Sequence, residues 1–270
     1  RKRVNLELFI ARRIAHNGSG NRPGVMVRIA VVAVALSVTV MILALAVIMG
    51  FKREITDRVT GFSAQVEVAD LRSAGSIESV PVLRSEQLER TIRSAGEVVR
   101  LTPYAVKGGV VKTPDAILGV MLKGVDGGYE WSFFRDHLLE GELPRVGDSI
   151  RTKEILISRS VAREMGLAPG DKVEMLFVES EKSPRRDRFK VSGIYATGMD
   201  EFDRSVAMTD LRNVQRLADW SSEEVSGYEV TLADFLQAED FSRRLNDMLL
   251  DSDREAFWDL TARSAQERFP

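Results

Sequence analysis

The longest apolar stretch of the chain lies near its beginning and predicts a transmembrane helix. Residues 29–51 contain no formally charged side chain. At ~1.5 Å of rise per residue, about 23 helical residues would cross a hydrocarbon core of ~30 Å. Two alternatives compete with this interpretation. A secretory signal has a shorter apolar centre, and a buried helix of a soluble protein is rarely apolar on every side.

The helical pattern continues beyond the apolar stretch into a charged segment. Glu54 and Arg58 are spaced to form an i, i+4 ion pair on the solvated side of a helix. The apolar residues of this segment recur at i, i+4, i+8 and i+11, and they are Phe51, Ile55, Val59 and Phe62. This spacing predicts an amphipathic stalk that projects from the membrane and lays one apolar face against a partner.

Small residues on one side of the span indicate a surface for a neighbouring helix. Ala33, Ser37 and Ala44 fall at i, i+4 and i+11, so a second helix could approach them closely. Small residues also occur on the opposite side, and alanine is common in membrane helices. A packing face and ordinary composition therefore both remain open.

Charge on either side of the span predicts its orientation. Seven Lys or Arg residues precede it against the single acid Glu7, whereas acids and bases are mixed after it. This excess of positive charge places the N-terminus in the cytoplasm and the residues after about position 62 on the far side. At the start of the chain, Leu6, Phe9 and Ile10 share a helical face, which predicts a short interfacial helix. A frayed basic tail is the alternative.

Short strand and helix signals alternate along the rest of the chain and predict an α+β domain. A strand is expected over 64–70, and Ser85 is expected to cap a short helix. Residues 97–126 contain β-rich runs, which the Gly-Gly pair at 108–109 and the Thr-Pro pair at 113–114 would interrupt.

The second half of the domain shows a comparable alternation. Residues 154–178 predict a strand, a short helix, a turn and a second strand. Residues 171–178 and 188–196 are expected to pair as a hairpin around the charged tip 179–187. The remaining predicted elements are a helix capped by Thr209, a strand over 227–232 and a longer helix that carries Phe235 and Phe241.

Composition narrows the chemistry that this chain can perform. The formal net charge is -2 and cysteine is absent, so neither a nucleic-acid partner nor thiolate chemistry is indicated. The histidines, His16 and His137, fall on opposite sides of the membrane in this topology, which leaves no two-histidine metal site. The sequence contains no Walker A motif and no visible Ser-His-Asp arrangement. We therefore expect a non-catalytic chain without a metal or cofactor of its own.

Two local clusters are candidate contact sites. The first is aromatic and could bind an acyl chain or a partner, or pack in the core; its residues are Tyr129, Trp131, Phe133 and Phe134. The second is the basic end of the expected hairpin, which could contact a partner or be merely solvated; its cations are Lys182, Arg185 and Arg186.

Several segments, taken in their order and spacing, carry a resemblance to a known family. They are "LFIARRI", the run from "NRPGVMVRIAVV" to "FKREITDRVTGFSAQVEV", "LKGVD", "ILISRSVAREMGLAPGDKVEML" and "FKVSGIYATGMDEFDRSVAMTDL". The most specific pieces are Asn21-Arg22 before the span, residues 49–55 at its outer end and residues 167–171 after a short helix. Together they resemble the membrane subunits of the lipoprotein-releasing ABC transporter, of the LolC/LolE type in the MacB/FtsX-like permease superfamily.

The resemblance implies a membrane-anchored α+β architecture, in which one N-terminal transmembrane helix continues into a stalk and then a periplasmic domain of porter and sabre subdomains. Gly50 would allow close approach to the partner stalk. The implied segments are a cytoplasmic interfacial helix and turn (1–24), transmembrane helix 1 and stalk (25–63), the first part of the porter (64–118), the sabre (119–202), the second part of the porter (203–264) and an approach to a second transmembrane helix (265–270).

The resemblance also implies a permease subunit in the inner membrane of a Gram-negative bacterium. It would extract lipoproteins and pass them to a periplasmic LolA-like chaperone by mechanotransmission. A separate LolD-like ATPase dimer would bind ATP and Mg, and a second permease subunit, identical or paralogous, would complete the assembly.

The hairpin departs from the LolC pattern. In LolC-type subunits a longer hook at this place recruits the chaperone, whereas the hairpin here is short and highly charged. The LolC and LolE roles therefore both stay open, and the expected chaperone contacts are Lys182, Pro184, Arg185 and Arg186. The alternative functions are a MacB-type exporter, an FtsX-type permease that regulates cell-wall hydrolases, and a single-span receptor.

Overall fold

The first helix of the chain extends well past its apolar part. The computed structural model describes residues 23–62, 64–73, 79–114, 116–147, 150–179, 182–252 and 257–268. Helix α1, Pro23–Phe62, is a single α-helix of 40 residues. Its segment Gly24–Gly50 has a mean hydropathy of 3.0 and is long and apolar enough to cross a membrane. The expected apolar helix and its helical continuation are confirmed, whereas the interfacial helix expected within 1–24 lies almost entirely outside the described residues.

The rest of the described chain forms an α+β domain, as the sequence predicts. Phe235, expected within the longer helix, lies in a short 3-10 helix, Phe235–Gln237, just ahead of it. The strands are β1 Val66–Asp70, β2 Val82–Leu83, β3 Val98–Lys112, β4 Ile117–Val125, β5 Leu138–Gly141, β6 Glu154–Ser158, β7 Lys172–Glu179, β8 Lys182–Tyr195, β9 Val206–Asp210, β10 Glu224–Val225, β11 Gly227–Leu232 and β12 Leu260–Ser264. The helices are α2 Glu86–Ser94, α3 Ser132–Asp136, α4 Arg159–Met165, α5 Asp200–Ser205, α6 Leu211–Ala218, α7 Ala238–Ser252 and α8 Ala265–Arg268.

One part of the domain is an antiparallel sheet, here named the open sheet, in the order β12, β1, β11 and the first part of β3. Alternation along β1 turns Val66 and Val68 to one face, where both are buried. Helices α2 and α7 cover this face, and their buried residues Leu88 and Phe241 belong to the same apolar core. Ser85 caps α2 as expected, because its hydroxyl oxygen accepts a hydrogen bond from the N–H of Leu88 at 3.1 Å.

The other part closes on itself and is here named the barrel. β3 pairs with β4, β4 with β9, β9 with β6, β6 with β8, and β8 with β7. β7 then returns to β3 at residues 110–112, which completes a closed cycle of hydrogen-bonded strands. Apolar side chains of these strands, among them Leu122, Met175, Phe177 and Phe189, are buried in the main core. The barrel thus has its backbone groups paired around the cycle.

β3 belongs to both parts and is longer than the sequence predicts. It runs unbroken over 15 residues, so the interruption expected at 108–109 is wrong. The reason lies in packing, because a Cβ atom on Gly109 would sit 2.7 Å from a carbon of the Phe177 side chain. Glycine at this position lets the aromatic side chain lie directly on an extended strand. The turn expected at 113–114 does separate β3 from β4.

Two further expectations are corrected within the barrel. β8 begins at Lys182, so residues 182–187, expected to form a hairpin tip, are part of the strand. The residue that caps α6 is Asp210 and not Thr209, since Asp210 Oδ1 accepts a hydrogen bond from the N–H of Arg212 at 2.9 Å. Thr209 is buried in β9, where its hydroxyl donates to the carbonyl oxygen of Glu154 at 2.7 Å. That bond between strands leaves Thr209 within the sheet.

The outer edge of the open sheet is capped by side chains. The side chain of Asn246 on α7 accepts from the N–H of Ala262 at 2.7 Å and donates to its carbonyl oxygen at 3.0 Å. The N–H of Ser264 donates to Glu267 at 2.7 Å, and that of Leu260 donates to a preceding carbonyl at 3.0 Å. β12 is therefore an edge strand whose alternate backbone groups already have partners.

The porter and sabre boundaries stay a prediction. All four strands of the open sheet, including the shared strand β3, lie in the segments expected to form the porter. β9 and α6, which fall in the segment 203–264, pair with and pack on strands of the barrel.

Candidate functional site

The stalk is the first candidate site. Phe51, Ile55, Val59 and Phe62 all have helical backbone in α1, and their side chains lie outside the described part of the structure. Apart from its own helical neighbours, Gly50 has no described atom within 4 Å of the position that a Cβ would occupy. The proposed contacts of the stalk with a partner helix therefore stay predictions.

The small residues of the span lie on an exposed helix. Ala33, Ser37 and Ala44 are exposed in this single chain, as are the large apolar residues around them. The hydroxyl of Thr39 donates to the carbonyl oxygen of Ala35 at 2.7 Å, so the one polar group on the other side is satisfied within the helix. A packing face at these residues also stays a prediction.

The hairpin of β7 and β8 is the second candidate site, and part of its positive charge is engaged within the chain. Arg185 forms an ion pair with Asp219 and donates to the carbonyl oxygen of Arg216 at 3.2 Å. Both acceptors lie at the C-terminal end of α6, where the helix dipole also favours a cation. The arm of the hairpin is thereby attached to α6.

The other charges of the hairpin leave a mixed, exposed surface. Pro184 and Arg186 are exposed, and the side chain of Lys182 lies outside the described part of the structure. Arg186 and Arg188 approach the carboxylate of Glu174 at 3.8 and 3.3 Å. Since these are surface pairs, they stabilise the arm only weakly and can exchange for a partner's charges. Contact with a chaperone stays a prediction.

The aromatic cluster packs as a second, smaller core. Phe134 is fully buried, and the centre of its side-chain ring lies 5.1 Å from that of Tyr195 in an edge-to-face arrangement. Tyr129, Trp131 and Phe133 are partly buried around it, with Tyr129 and Trp131 centred 4.9 Å apart. Burial raises the pKa of Tyr195, whose hydroxyl donates to a backbone carbonyl. The cluster stabilises the connection between β4 and β5, and contact with a lipoprotein stays a prediction.

The second face of the open sheet carries charges that the sequence-based predictions missed. Glu67 on β1 lies directly opposite Glu229 on β11, an arrangement that is unfavourable by itself. Each carboxylate has cationic partners, with Arg268 3.2 Å from Glu67 and Lys123 paired with Glu229. Arg263, opposite Glu67 on β12, approaches it at 3.8 Å. The alternation Val-Glu-Val at 66–68 was the signal for this face.

Lys123 is the most deeply placed cation of this face. Its side chain is only 11% exposed and that of Glu229 is 12% exposed. The ammonium nitrogen also lies 5.7 Å from the ring centre of Tyr104 and 5.6 Å from that of Tyr129. Burial, followed by the charge of Glu67, raises the pKa of Tyr104, whose hydroxyl donates to Glu67. The charged face is thus a connected network that links β1, β3, β4 and β11.

This network joins the two ends of the domain. Arg268 in α8 donates to the carbonyl oxygen of Ala64 and to the carboxylate of Glu67. The N–H of Ala265 donates to the carbonyl oxygen of Gln65 at 2.8 Å. Residues close to the end of α1 in sequence are therefore bonded to the last described residues of the chain.

The tripeptide Asp-Leu-Arg begins at the last residue of two strands, β1 and β9, and its Asp and Arg form the same hydrogen bonds each time. Asp70 Oδ1 accepts from the N–H and Nε of Arg72 at 2.8 and 2.9 Å. Asp210 Oδ1 accepts from the same atoms of Arg212, each at 2.9 Å. The bonds from Arg72 hold the pKa of Asp70 below its usual value. Burial opposes ionisation of Asp210, but the bonds from Arg212 and from the N–H of Gly147 outweigh it and lower its pKa as well.

The described residues offer no evident site for metal-dependent chemistry. Among them, no group of three or more His, Asp or Glu side chains is arranged to hold a metal ion. His137 stacks on Phe133 with ring centres 4.3 Å apart, and its Nδ1 lies 2.8 Å from the carbonyl oxygen of Phe133.

The sequence matches the family described as MacB-like periplasmic core domain over residues 29–248. Two curated relatives are the lipoprotein-releasing system transmembrane protein LolC of Xylella fastidiosa strain 9a5c, 27% identical over 224 residues, and that of Neisseria meningitidis serogroup B, 26% identical over 225 residues. The alignments cover 77% and 79% of this chain and 50% of each relative. The chain thus spans about half the length of the curated relatives it matches.

Solved structures similar to this chain include the periplasmic region of MacB from Actinobacillus actinomycetemcomitans, with a TM-score of 0.49 and 14% identity over 78% of this chain and 92% of that chain. The extracellular domain of the transporter YknZ from Gram-positive bacteria gives a TM-score of 0.47 and 14% identity over 74% of this chain and 99% of that chain. Because the family match extends over most of the sequence, the protein belongs to the MacB-like periplasmic core domain family.

Proposed function

We propose that this chain is the part of an ABC transporter permease that extracts lipoproteins from the inner membrane and delivers them to a periplasmic chaperone. ATP and Mg are bound by a separate cytoplasmic ATPase dimer. A second permease subunit, identical or paralogous, stands beside this one. The N-terminus lies in the cytoplasm, and the α+β domain lies in the periplasm.

The observation that carries this proposal is the continuity of α1. The apolar segment ends near Gly50, yet the helix goes on to Phe62 without a break. Twelve residues beyond the span amount to about 18 Å of helix. A continuous helix transmits displacement, whereas a flexible joint would absorb it. We therefore assign α1 the role of a lever that moves with the closing ATPases.

The bonded ends of the domain support this role. β1 begins shortly after α1 in the sequence and is paired with β12, the last strand that the structure describes. Arg268 ties α8 to residues 64 and 67. These bonds hold both ends of the domain to the open sheet. The names of the LolC relatives support lipoproteins as the cargo.

Lipoprotein delivery tests the cargo. In cells depleted of the protein, fractionated membranes should retain outer-membrane lipoproteins in the inner membrane. Normal delivery would contradict the proposal. If delivery is normal but export of a small molecule or peptide fails, the MacB-type function replaces it.

The stalk is tested separately with the assembled transporter in nanodiscs. Phe51→Asp or Ile55→Asp should leave ATP hydrolysis in place and abolish lipoprotein release, because each places a charge on the proposed contact face. Thr60→Asp, on the opposite side of the helix, is the matched control and should preserve release. Full release in both contact-face variants would remove the lever role.

A further inference from the structure

The two edge strands of the sheet, β12 and β5, differ in the hydrogen-bond partners of their backbone groups. At one end, the backbone groups of β12 bond to Asn246, Glu267 and a preceding carbonyl. At the other end, β8 is the only strand within the described ranges that pairs with β5. Its pairing passes from Leu138 to Glu140 and skips Leu139. β5 is thus the end at which a further strand can be added.

A groove with an apolar floor runs beside this strand. Its volume is about 270 Å³, and Leu139, Ile194 and Leu167 are among its lining residues. Ile194 is buried, whereas Leu139 is 48% exposed although it is a large apolar residue. Ligand pockets for whole small molecules usually measure about 300–1,000 Å³. This groove is therefore suited to a single side chain or two of a longer partner.

The charge of the groove is positive. Arg159 and Arg163 are one helical turn apart on α4, and both line it. Both are exposed, and neither forms an ion pair with another side chain in the described part of the chain. Glu140 is the acidic residue that lines the groove. The surplus cation is complementary to a carboxylate of a partner.

We propose that β5 and this groove form a docking site for an extended, acidic segment of a partner polypeptide. The segment pairs its backbone with β5 as an added strand, which is a recurrent mode of peptide recognition. Alternate side chains of a strand point to opposite faces, so an apolar side chain can enter the groove while its acidic neighbours reach Arg159 and Arg163. This site is independent of the charged arm at 182–188 and of the cargo.

The experiment uses the full chain in detergent micelles and a fluorescein-labelled hexapeptide of alternating glutamate and valine. Fluorescence anisotropy should report saturable binding to the unmodified chain. Arg163→Glu should weaken binding at least tenfold. Arg93→Glu is the matched control, because Arg93 is also an exposed arginine in the last turn of a short helix, and it should leave binding unchanged.

Two further probes separate strand addition from general charge attraction. A hexapeptide with N-methyl groups on alternate backbone nitrogens should lose binding in one of its two registers, because methylation removes the donors of the added strand. A hexapeptide of alternating lysine and valine should bind the double variant Arg159→Glu with Arg163→Glu, in which both charges of the groove are reversed. It should not bind the unmodified chain.

Three results would overturn the proposal. The first is equal weakening by Arg163→Glu and Arg93→Glu. The second is full binding by both N-methylated registers. The third is displacement of the peptide by dodecyl phosphate at equal concentration, which would identify the groove as a site for anionic amphiphiles.

Discussion

The open sheet and the barrel differ in how the backbone groups of their outer strands and the faces of their strands are satisfied. In the barrel, β7 returns to β3, so the strands satisfy one another around a closed cycle. In the open sheet, α2 and α7 cover one face, paired charges occupy the other, and Asn246 caps the free edge. The barrel therefore depends on apolar packing against fixed backbone, and the open sheet depends on particular polar side chains.

This difference predicts where the domain is intolerant of change. A closed cycle of strands cannot shift far to fill a void, whereas a helix lying on a sheet can settle into one. Polar pairs, in turn, fail when one partner is lost, since the remaining charge stays buried. The predictions below use the three tryptophans, all within the domain, as reporters of urea unfolding of the full chain in micelles.

The largest effect is expected from a void inside the barrel. Phe177 is buried and lies against Gly109. Phe177→Ala should lower the free energy of unfolding by about 4 kcal/mol, and Phe241→Ala, under α7 on the open sheet, by about 3 kcal/mol. Leu236→Ala, at an exposed residue, is the control and should change little. An effect at Phe241 larger than at Phe177 would reverse the comparison.

The next effect comes from the charged face of the open sheet. Lys123→Met leaves Glu229 buried without its cation and should cost about 3 kcal/mol. The double variant Lys123→Met with Glu229→Leu should recover part of the lost free energy of unfolding, because no unpaired charge then remains buried. A double-mutant cycle measures the coupling. Additive losses would show that the pair does not act as a unit.

A smaller effect is expected at the capped edge. Asn246→Leu removes both bonds to Ala262 and should cost about 1–2 kcal/mol. It should also promote self-association, detected by light scattering, because an uncapped edge pairs with other chains. Asn246→Asp keeps the acceptor but not the donor, so its effect should be intermediate. A strictly monodisperse Asn246→Leu protein would contradict the capping role.

The smallest effect is expected in the pH dependence of stability that the two Asp-Leu-Arg turns cause. Both carboxyls have pKa values below the ordinary value in the folded protein. Their stabilisation is complete above the unfolded pKa, about 3.9, and is lost as the pH falls through the folded pKa. Asp70→Asn and Asp210→Asn should therefore each flatten the loss of stability below about pH 4.

The turn at Asp210 should show the stronger dependence. Arg212 is 37% exposed at its side chain, whereas Arg72 is 61% exposed, so solvent screens the pair at Asp70 more. Urea midpoints measured from pH 5 to pH 2 test the order. An unchanged slope in Asp210→Asn would show that its carboxyl does not take part in acid unfolding.

Features set by neighbouring residues could be predicted from the sequence. The apolar run and the helical spacing after it predict α1, and Ser85 is correctly predicted as the cap of α2 because the capping pattern lies within a few residues. The order of strands and helices along 154–178 was also correct.

Features that depend on distant residues could not be predicted. The sequence predicts a break in the strand at Gly109, because Phe177, the residue whose packing requires a glycine there, lies far along the sequence. The local pattern predicts Thr209 as the cap of α6, because its hydrogen bond to Glu154 forms only when β9 and β6 pair in the fold. The positive groove at α4 was missed because β5 carries no recognisable strand pattern.

The shared strand β3 limits how the gene can change. One residue inserted near the middle of β3 would turn its buried side chains outward in one region, either the open sheet or the barrel. In the other region the side chains of β3 would keep their orientation. Neither region could compensate, since β3 pairs with β11 at one end and with β7 at the other. Insertions and deletions among natural variants should therefore collect in the connections and spare this strand.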